Sequence, residues 1–152
     1  MNDHITLIFK KLDHLARMRE YLRYSLMQAQ AMMPIQNWQS LQPSEHETLA
    51  ALRVRFSEYQ EHMGKTMKAV AAEEEKPTEP FTAVLLYMEK LSCIDSSQHW
   101  KQIRELRNVI NHEYEENTDL LSEFFQHLVK AAPTLFKWHE QLQAFCQKTY
   151  TP

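Results

Sequence analysis

Apolar residues recur along this chain at helical intervals. From about Asp3 to Met32, Ile5, Ile8, Leu12, Leu15, Leu22 and Leu26 fall three, four or seven apart, a spacing that a helix stacks into one stripe. The pattern predicts a first long helix, stopped by Pro34 and followed by a connection, Ile35 to Pro43, held down by Trp38 and Leu41. Ser44 and Glu47 then read as a capping box ahead of Leu49, Leu52, Phe56, Tyr59, Met63, Met67 and Val70, predicting a second long helix to about Ala72. The polar stretch Glu73 to Pro80, with Pro77 and Pro80, reads as a solvated loop, and Phe81 to Leu91 as a short third helix. Asp95, Ser96 and Ser97 are candidate caps for a fourth helix with Trp100, Ile103, Leu106 and Ile110 on its inner face. Asn117, Thr118 or Asp119 can cap a fifth, carrying Leu120, Leu121, Phe124, Phe125 and Leu128. Pro133 is expected to kink that helix or to start a sixth, with Leu135, Trp138, Leu142 and Phe145 as the last stripe.

Composition supports the same picture. The 152 residues include one glycine, Gly64, whereas hairpins generally need glycine in their turns, so a β-rich fold is disfavoured. The expectation is an all-α, up-and-down bundle of four to six helices forming one domain over residues 1–152, its first two helices paired as a hairpin. A formal net charge of −3 gives no general attraction to nucleic acid, so any contact with RNA must be local. Cys93 and Cys146 are far apart and form no CxxC pair, Met1-Asn2-Asp3-His4 has no signal-peptide character, and no apolar run approaches the roughly 20 residues that span a bilayer. A cytoplasmic protein with reduced thiols is expected.

Candidate chemistry lies in Arg107-Asn108-Val109-Ile110-Asn111-His112-Glu113-Tyr114. If the fourth helix continued through this segment, Arg107, Asn111 and Tyr114 would share one face, with Asn108 and His112 on the adjoining one. Arg is a permanent cation that grips phosphate through paired hydrogen bonds. His, with an ordinary pKa of about 6.5, can take the proton of a ribose 2′-hydroxyl or protonate a leaving oxygen, and needs no metal to do so. Asn108 is placed to orient the His112 ring. On an ideal helix Arg107 and His112 stand well over a right angle apart. Either the helix ends between them, or two copies of the motif face one another across a two-fold axis. The plain alternative is a basic helix end paired at the surface with Glu105, Glu113, Glu115 or Glu116.

At these residues the chain resembles the HEPN superfamily, specifically HepT-like toxins and the helical partners of minimal nucleotidyltransferases. Arg107 is followed by a polar Asn108, His112 stands five residues on, and Tyr114 follows in His-Glu-Tyr. The likeness covers the whole chain in architecture and eight residues in motif. It implies a bundle that forms a homodimer, with Arg107 and His112 of both subunits lining a metal-independent endoribonuclease cleft, Asn108 and Asn111 in support, and RNA rather than DNA as substrate. It also implies a toxin–antitoxin pair, the antitoxin being a nucleotidyltransferase that in some systems transfers AMP to the motif tyrosine, by position Tyr114. As a residue, Tyr114 also reads as a ring packed on its helix with one hydrogen bond. The acidic neighbours Glu113, Glu115 and Glu116 keep open a second reading, a non-catalytic partner subunit that presents Tyr114 or a nucleotide to the nucleotidyltransferase. A plain helical interaction module is a third.

Elsewhere the chemistry is thinner. His4, His14, His46, His62, His99, His127 and His139 show no metal-ligand spacing, and nothing calls for a metal or cofactor. Met18, Met27, Met32, Met33, Met63, Met67 and Met88 read as core filler. Arg17, Arg19, Arg23, Arg53 and Arg55 either extend a phosphate-binding surface or form exposed ion pairs.

Overall fold

The structure, a computed structural model, describes residues 2–108 and 117–150. Among them are five α-helices and no strand: α1 Asp3–Gln30, α2 Pro43–Glu73, α3 Phe81–Lys90, α4 Ser97–Leu106 and α5 Thr118–Thr149. A short 3₁₀ turn, Trp38–Ser40, interrupts the α1–α2 connection. The expected all-α bundle is what forms, with α1 and α2 as its most extensively packed pair. Each helix packs on the next, and α5 closes back against both α1 and α2.

Local chemistry explains the boundaries. Asn2 caps α1, its side-chain oxygen accepting from the His4 N–H at 2.8 Å. Ser96 caps α4 by accepting from the His99 N–H at 2.9 Å, and Asn117 caps α5 through the Leu120 N–H at 3.0 Å. The start of α2 differs from expectation. Pro43 occupies the first helical position, where its fixed φ is suited and its missing N–H is no loss. The box is therefore closed by Glu45, which accepts the Gln42 N–H at 2.8 Å, and Ser44 and Glu47 fall inside the first turns. Of the two expectations for Pro133, the start of a sixth helix is not met: it lies within α5, which runs to Thr149, and there is no sixth helix among the described residues. Proline removes one N–H from the ladder. Here that cost is carried by a helix anchored on both sides, with Leu128, Ala132, Leu135, Trp138 and Leu142 all buried while Pro133 itself is exposed.

The core joins Leu15 and Leu22 of α1, Phe56, Tyr59, Met63 and Met67 of α2, Val84 and Met88 of α3, and the α5 stripe. Trp100 of α4 stacks on Trp138 of α5 with ring centroids 5.8 Å apart, fixing the short α4 to the long helix. In the α1–α2 connection Ile35 is buried, and Trp38 stacks on Phe125 at 6.0 Å while its backbone N–H donates to the Thr118 hydroxyl at 3.2 Å. Met63, Met67 and Met88 are buried as expected of core filler, whereas Met27 is exposed. Both cysteines are free and buried, and burial pushes their thiols up, Cys93 to about 11 and Cys146 to about 12. No helix among the described residues is long and apolar enough to cross a membrane.

Candidate functional site: a basic cavity at the end of α4

Helix α4 ends at Leu106, with Arg107 as its cap and the Asn108 N–H closing a tight turn on the Glu105 carbonyl at 2.9 Å. Of the row Arg107, Asn111 and Tyr114, only Arg107 is among the described residues. Asn111, His112 and Tyr114 lie outside the described residues, as do Glu113, Glu115 and Glu116. Asn108 is exposed.

Arg107 is not the surface ion pair of the plain alternative. It has no ion pair among the described residues, and its Nη1 donates to the Ser57 carbonyl of α2 at 2.8 Å. This single bond holds the end of α4 against the middle of α2 and leaves further guanidinium N–H groups for a ligand. Half-burial pushes the guanidinium pKa down from its ordinary value, with repulsion from Arg104 acting the same way and Glu61 opposing.

Arg107 lines a cavity of about 210 Å³ between α2, α3 and α4. Helix α2 supplies Gln60, Glu61, Gly64, Lys65 and Lys68, helix α3 supplies Phe81, and Trp100 and Arg104 come from α4. Four cationic side chains thus gather around an aromatic floor in a chain whose net charge is −3. Lys68 pairs with Glu79 at 2.9 Å, and Lys65 stands 3.9 Å from Glu61, both exposed pairs. Arg104 has no ion pair among the described residues. At Gly64 an added Cβ would lie 3.2 Å from Phe81 Cζ and 3.4 Å from Trp100 Cζ2, so the one glycine lets two rings approach the α2 backbone. Gln60 is buried and donates through Nε2 to the Trp100 carbonyl at 3.1 Å, while its Oε1 has no hydrogen-bond partner among the described residues.

Compared with protein-family models, curated proteins and solved structures, the chain matches none. Function has to be argued from its own residues.

Of those, sequence reasoning singled out Arg107 but not the cavity it joins. Trp100 reads as core and Gly64 as a composition count, and Lys65, Lys68 and Arg104 are not singled out. The available signals are a glycine in the middle of a 31-residue helix with lysines one and four residues beyond it, and Arg104 three residues before Arg107. Of the other arginines, Arg19, Arg23, Arg53 and Arg55 are engaged elsewhere. Arg19 pairs with Glu140 at 2.7 Å and lies over the Phe136 ring, Arg23 lies over the same ring, and Arg55 bonds to the Ser25 hydroxyl at 2.8 Å. Arg53 lies over Phe124 and borders a second cavity of about 460 Å³ with Trp38, His46 and Phe125. Among the histidines, His99 pairs with Asp95 at 3.0 Å, and His139 is buried against Tyr59. Among the described residues no group of three or more His, Cys, Asp or Glu is placed to hold a metal ion.

Proposed function

We propose that this chain is a HEPN-like, HepT-type endoribonuclease of a toxin–antitoxin pair, active as a homodimer and neutralised by a nucleotidyltransferase antitoxin. The motif Arg107-x4-His112-x-Tyr114 in an all-α bundle supports the reading. The observation that carries it is the setting of Arg107: half-buried, free of any carboxylate pair among the described residues, and at the rim of a cavity that gathers three further cations. A guanidinium held in this way meets a phosphate with little competition from its own chain.

In the proposed reaction His112 accepts the proton of a ribose 2′-hydroxyl, whose oxygen attacks the adjacent phosphorus. The P–O5′ bond breaks, the 5′-oxygen leaves with a proton from an imidazolium, and a 2′,3′-cyclic phosphate remains. Arg107 stabilises the charge that develops on the non-bridging oxygens. Incubation of RNA with the purified protein tests this. Cleavage is expected to continue in a metal chelator and to fall about 100-fold or more in His112→Ala and in Arg107→Ala. Equal RNA decay by wild type and His112→Ala would falsify the assignment.

The acidic run Glu113, Glu115 and Glu116 favours the second reading, a non-catalytic partner subunit of a minimal nucleotidyltransferase. In either reading Tyr114 is the candidate acceptor of AMP, whose bulk and negative charge would oppose RNA at Arg107. Intact mass after co-expression with a neighbouring nucleotidyltransferase is expected to show an AMP adduct that disappears in Tyr114→Phe. Adducts that persist in the variant remove Tyr114 from the proposal.

A further inference from the structure

We infer that the cavity between α2, α3 and α4 is a pocket for one nucleotide unit, its planar base against Phe81 and Trp100 and its phosphate among Arg104, Arg107 and the two lysines. The inference deepens the RNA-cleaving reading by naming the part of the substrate that the Arg107 end of α4 receives.

Three independent observations converge on it. The first is division of chemistry: Gly64, Phe81 and Trp100 make an aromatic and apolar wall, and the exposed and half-buried polar lining carries four cations against one carboxylate, Glu61, which suits a ligand with a flat uncharged ring at one end and an anion at the other. The volume of about 210 Å³ admits a base. The second is Gly64. Mid-helix glycine costs about 1 kcal/mol relative to alanine, and here it brings the rings of Phe81 and Trp100 close to the α2 backbone, where they wall the cavity. The third is Gln60, a buried amide lining the same cavity with an oxygen that has no donor among the described residues. Every nucleobase carries ring or exocyclic N–H groups on its pairing edge, and a turn of the Gln60 amide, whose Oε1 is now closed off from solvent, would present that oxygen to one of them.

Gly64 also provides the readout. As the only glycine of the chain, its amide gives an isolated signal in a ¹H–¹⁵N correlation spectrum. The labelled full-length protein is titrated with AMP, UMP, inorganic phosphate and a tetraribonucleotide. AMP and UMP are expected to shift the Gly64 amide saturably, with inorganic phosphate at least about tenfold weaker because it lacks the stacking half. Arg104→Glu, an exposed substitution, is expected to weaken mononucleotide binding about tenfold or more. Phe81→Leu, at a half-buried position, should weaken mononucleotides several-fold and leave phosphate unchanged. A tetranucleotide that binds more tightly than AMP identifies the occupant as a unit of RNA, and equal or weaker binding identifies a free nucleotide; the pocket stands in both cases. It is overturned if mononucleotides leave Gly64 unmoved, if phosphate alone binds as well as AMP, or if Arg104→Glu binds like wild type. RNA cleavage with a silent Gly64 would remove only the pocket. Nucleotide binding without cleavage would remove only the ribonuclease reading.

Discussion

His139 is a buried histidine whose Nδ1 lies 2.7 Å from the Tyr59 hydroxyl, in the α2–α5 contact. Burial, assisted by the positive charge of Arg19, pushes its pKa down to about 4. In the unfolded chain the ring titrates near its ordinary value, about 6.5. Above that pH neither state holds the proton and the histidine costs nothing. As pH falls from 6.5 toward 4 the unfolded chain takes up a proton that the folded chain refuses, so stability is lost across that window, by an amount on the order of 3 kcal/mol. Urea unfolding of wild type and His139→Asn at several pH values from 7 to 4 tests this, because asparagine does not titrate there. The variant is expected to lose markedly less stability over the range, and parallel curves would show that His139 is not the group responsible. Spacing places His139 four residues after Leu135 and three before Leu142, on the buried stripe of α5, which is the signal that the sequence carries. That Tyr59 of α2 is what meets it there is a fact of tertiary packing.

Helix ends show where local chemistry is readable. Ser96 and Asn117 are both candidate caps in the sequence and both serve, because a short polar side chain followed by an apolar stripe is a local signal. The α2 start was open to misreading because two overlapping patterns compete, Gln42 with Glu45 and Ser44 with Glu47, and Pro43 decides between them. The C-terminal ends give a prediction of their own. Helices α2 and α3 both close in a left-handed residue, Glu75 at φ 58° and Ser92 at φ 61°, with the Lys76 N–H reaching the Ala71 carbonyl and the Cys93 N–H reaching the Met88 carbonyl. Glycine is favoured in that conformation, yet the one glycine stands mid-helix at position 64. Ser92→Gly is therefore expected to raise stability by about 0.5–1 kcal/mol. Gly64→Ala, which in an open helix would gain a similar amount, is expected to give no gain, because its Cβ meets Phe81 at 3.2 Å. Thermal melts of the two variants check both signs, and a Gly64→Ala protein more stable than wild type would mean that Phe81 yields freely.

At the scale of the molecule, stripes spaced at three and four residues and the scarcity of glycine made an all-α bundle legible, since each helix must bury one face and has only other helices to bury it against. The basic cavity was not legible, because its walls come from residues 60–68, 81 and 100–107, which become neighbours only when α2, α3 and α4 pack. The dimer is a separate proposal, since α4 ends at Leu106 and so leaves open an Arg–His pair within one chain as well as one across a two-fold axis. Arg107 is tied to Ser57 of its own chain and sits at the end of α4, and His112 lies outside the described residues. If the histidine that works with Arg107 comes from the second subunit, the two single variants complement one another. Arg107→Ala and His112→Ala, each inactive alone, are unfolded together in denaturant and refolded as an equal mixture. Random pairing makes half of the dimers mixed, and each mixed dimer keeps one of its two Arg–His pairs, so about a quarter of wild-type ribonuclease activity is expected to return. Mixing without refolding should restore activity only as fast as subunits exchange. If the refolded mixture is as inactive as its components while light scattering reports dimers, the working pair lies within one chain, and the two-fold cleft gives way to a site completed by each subunit alone.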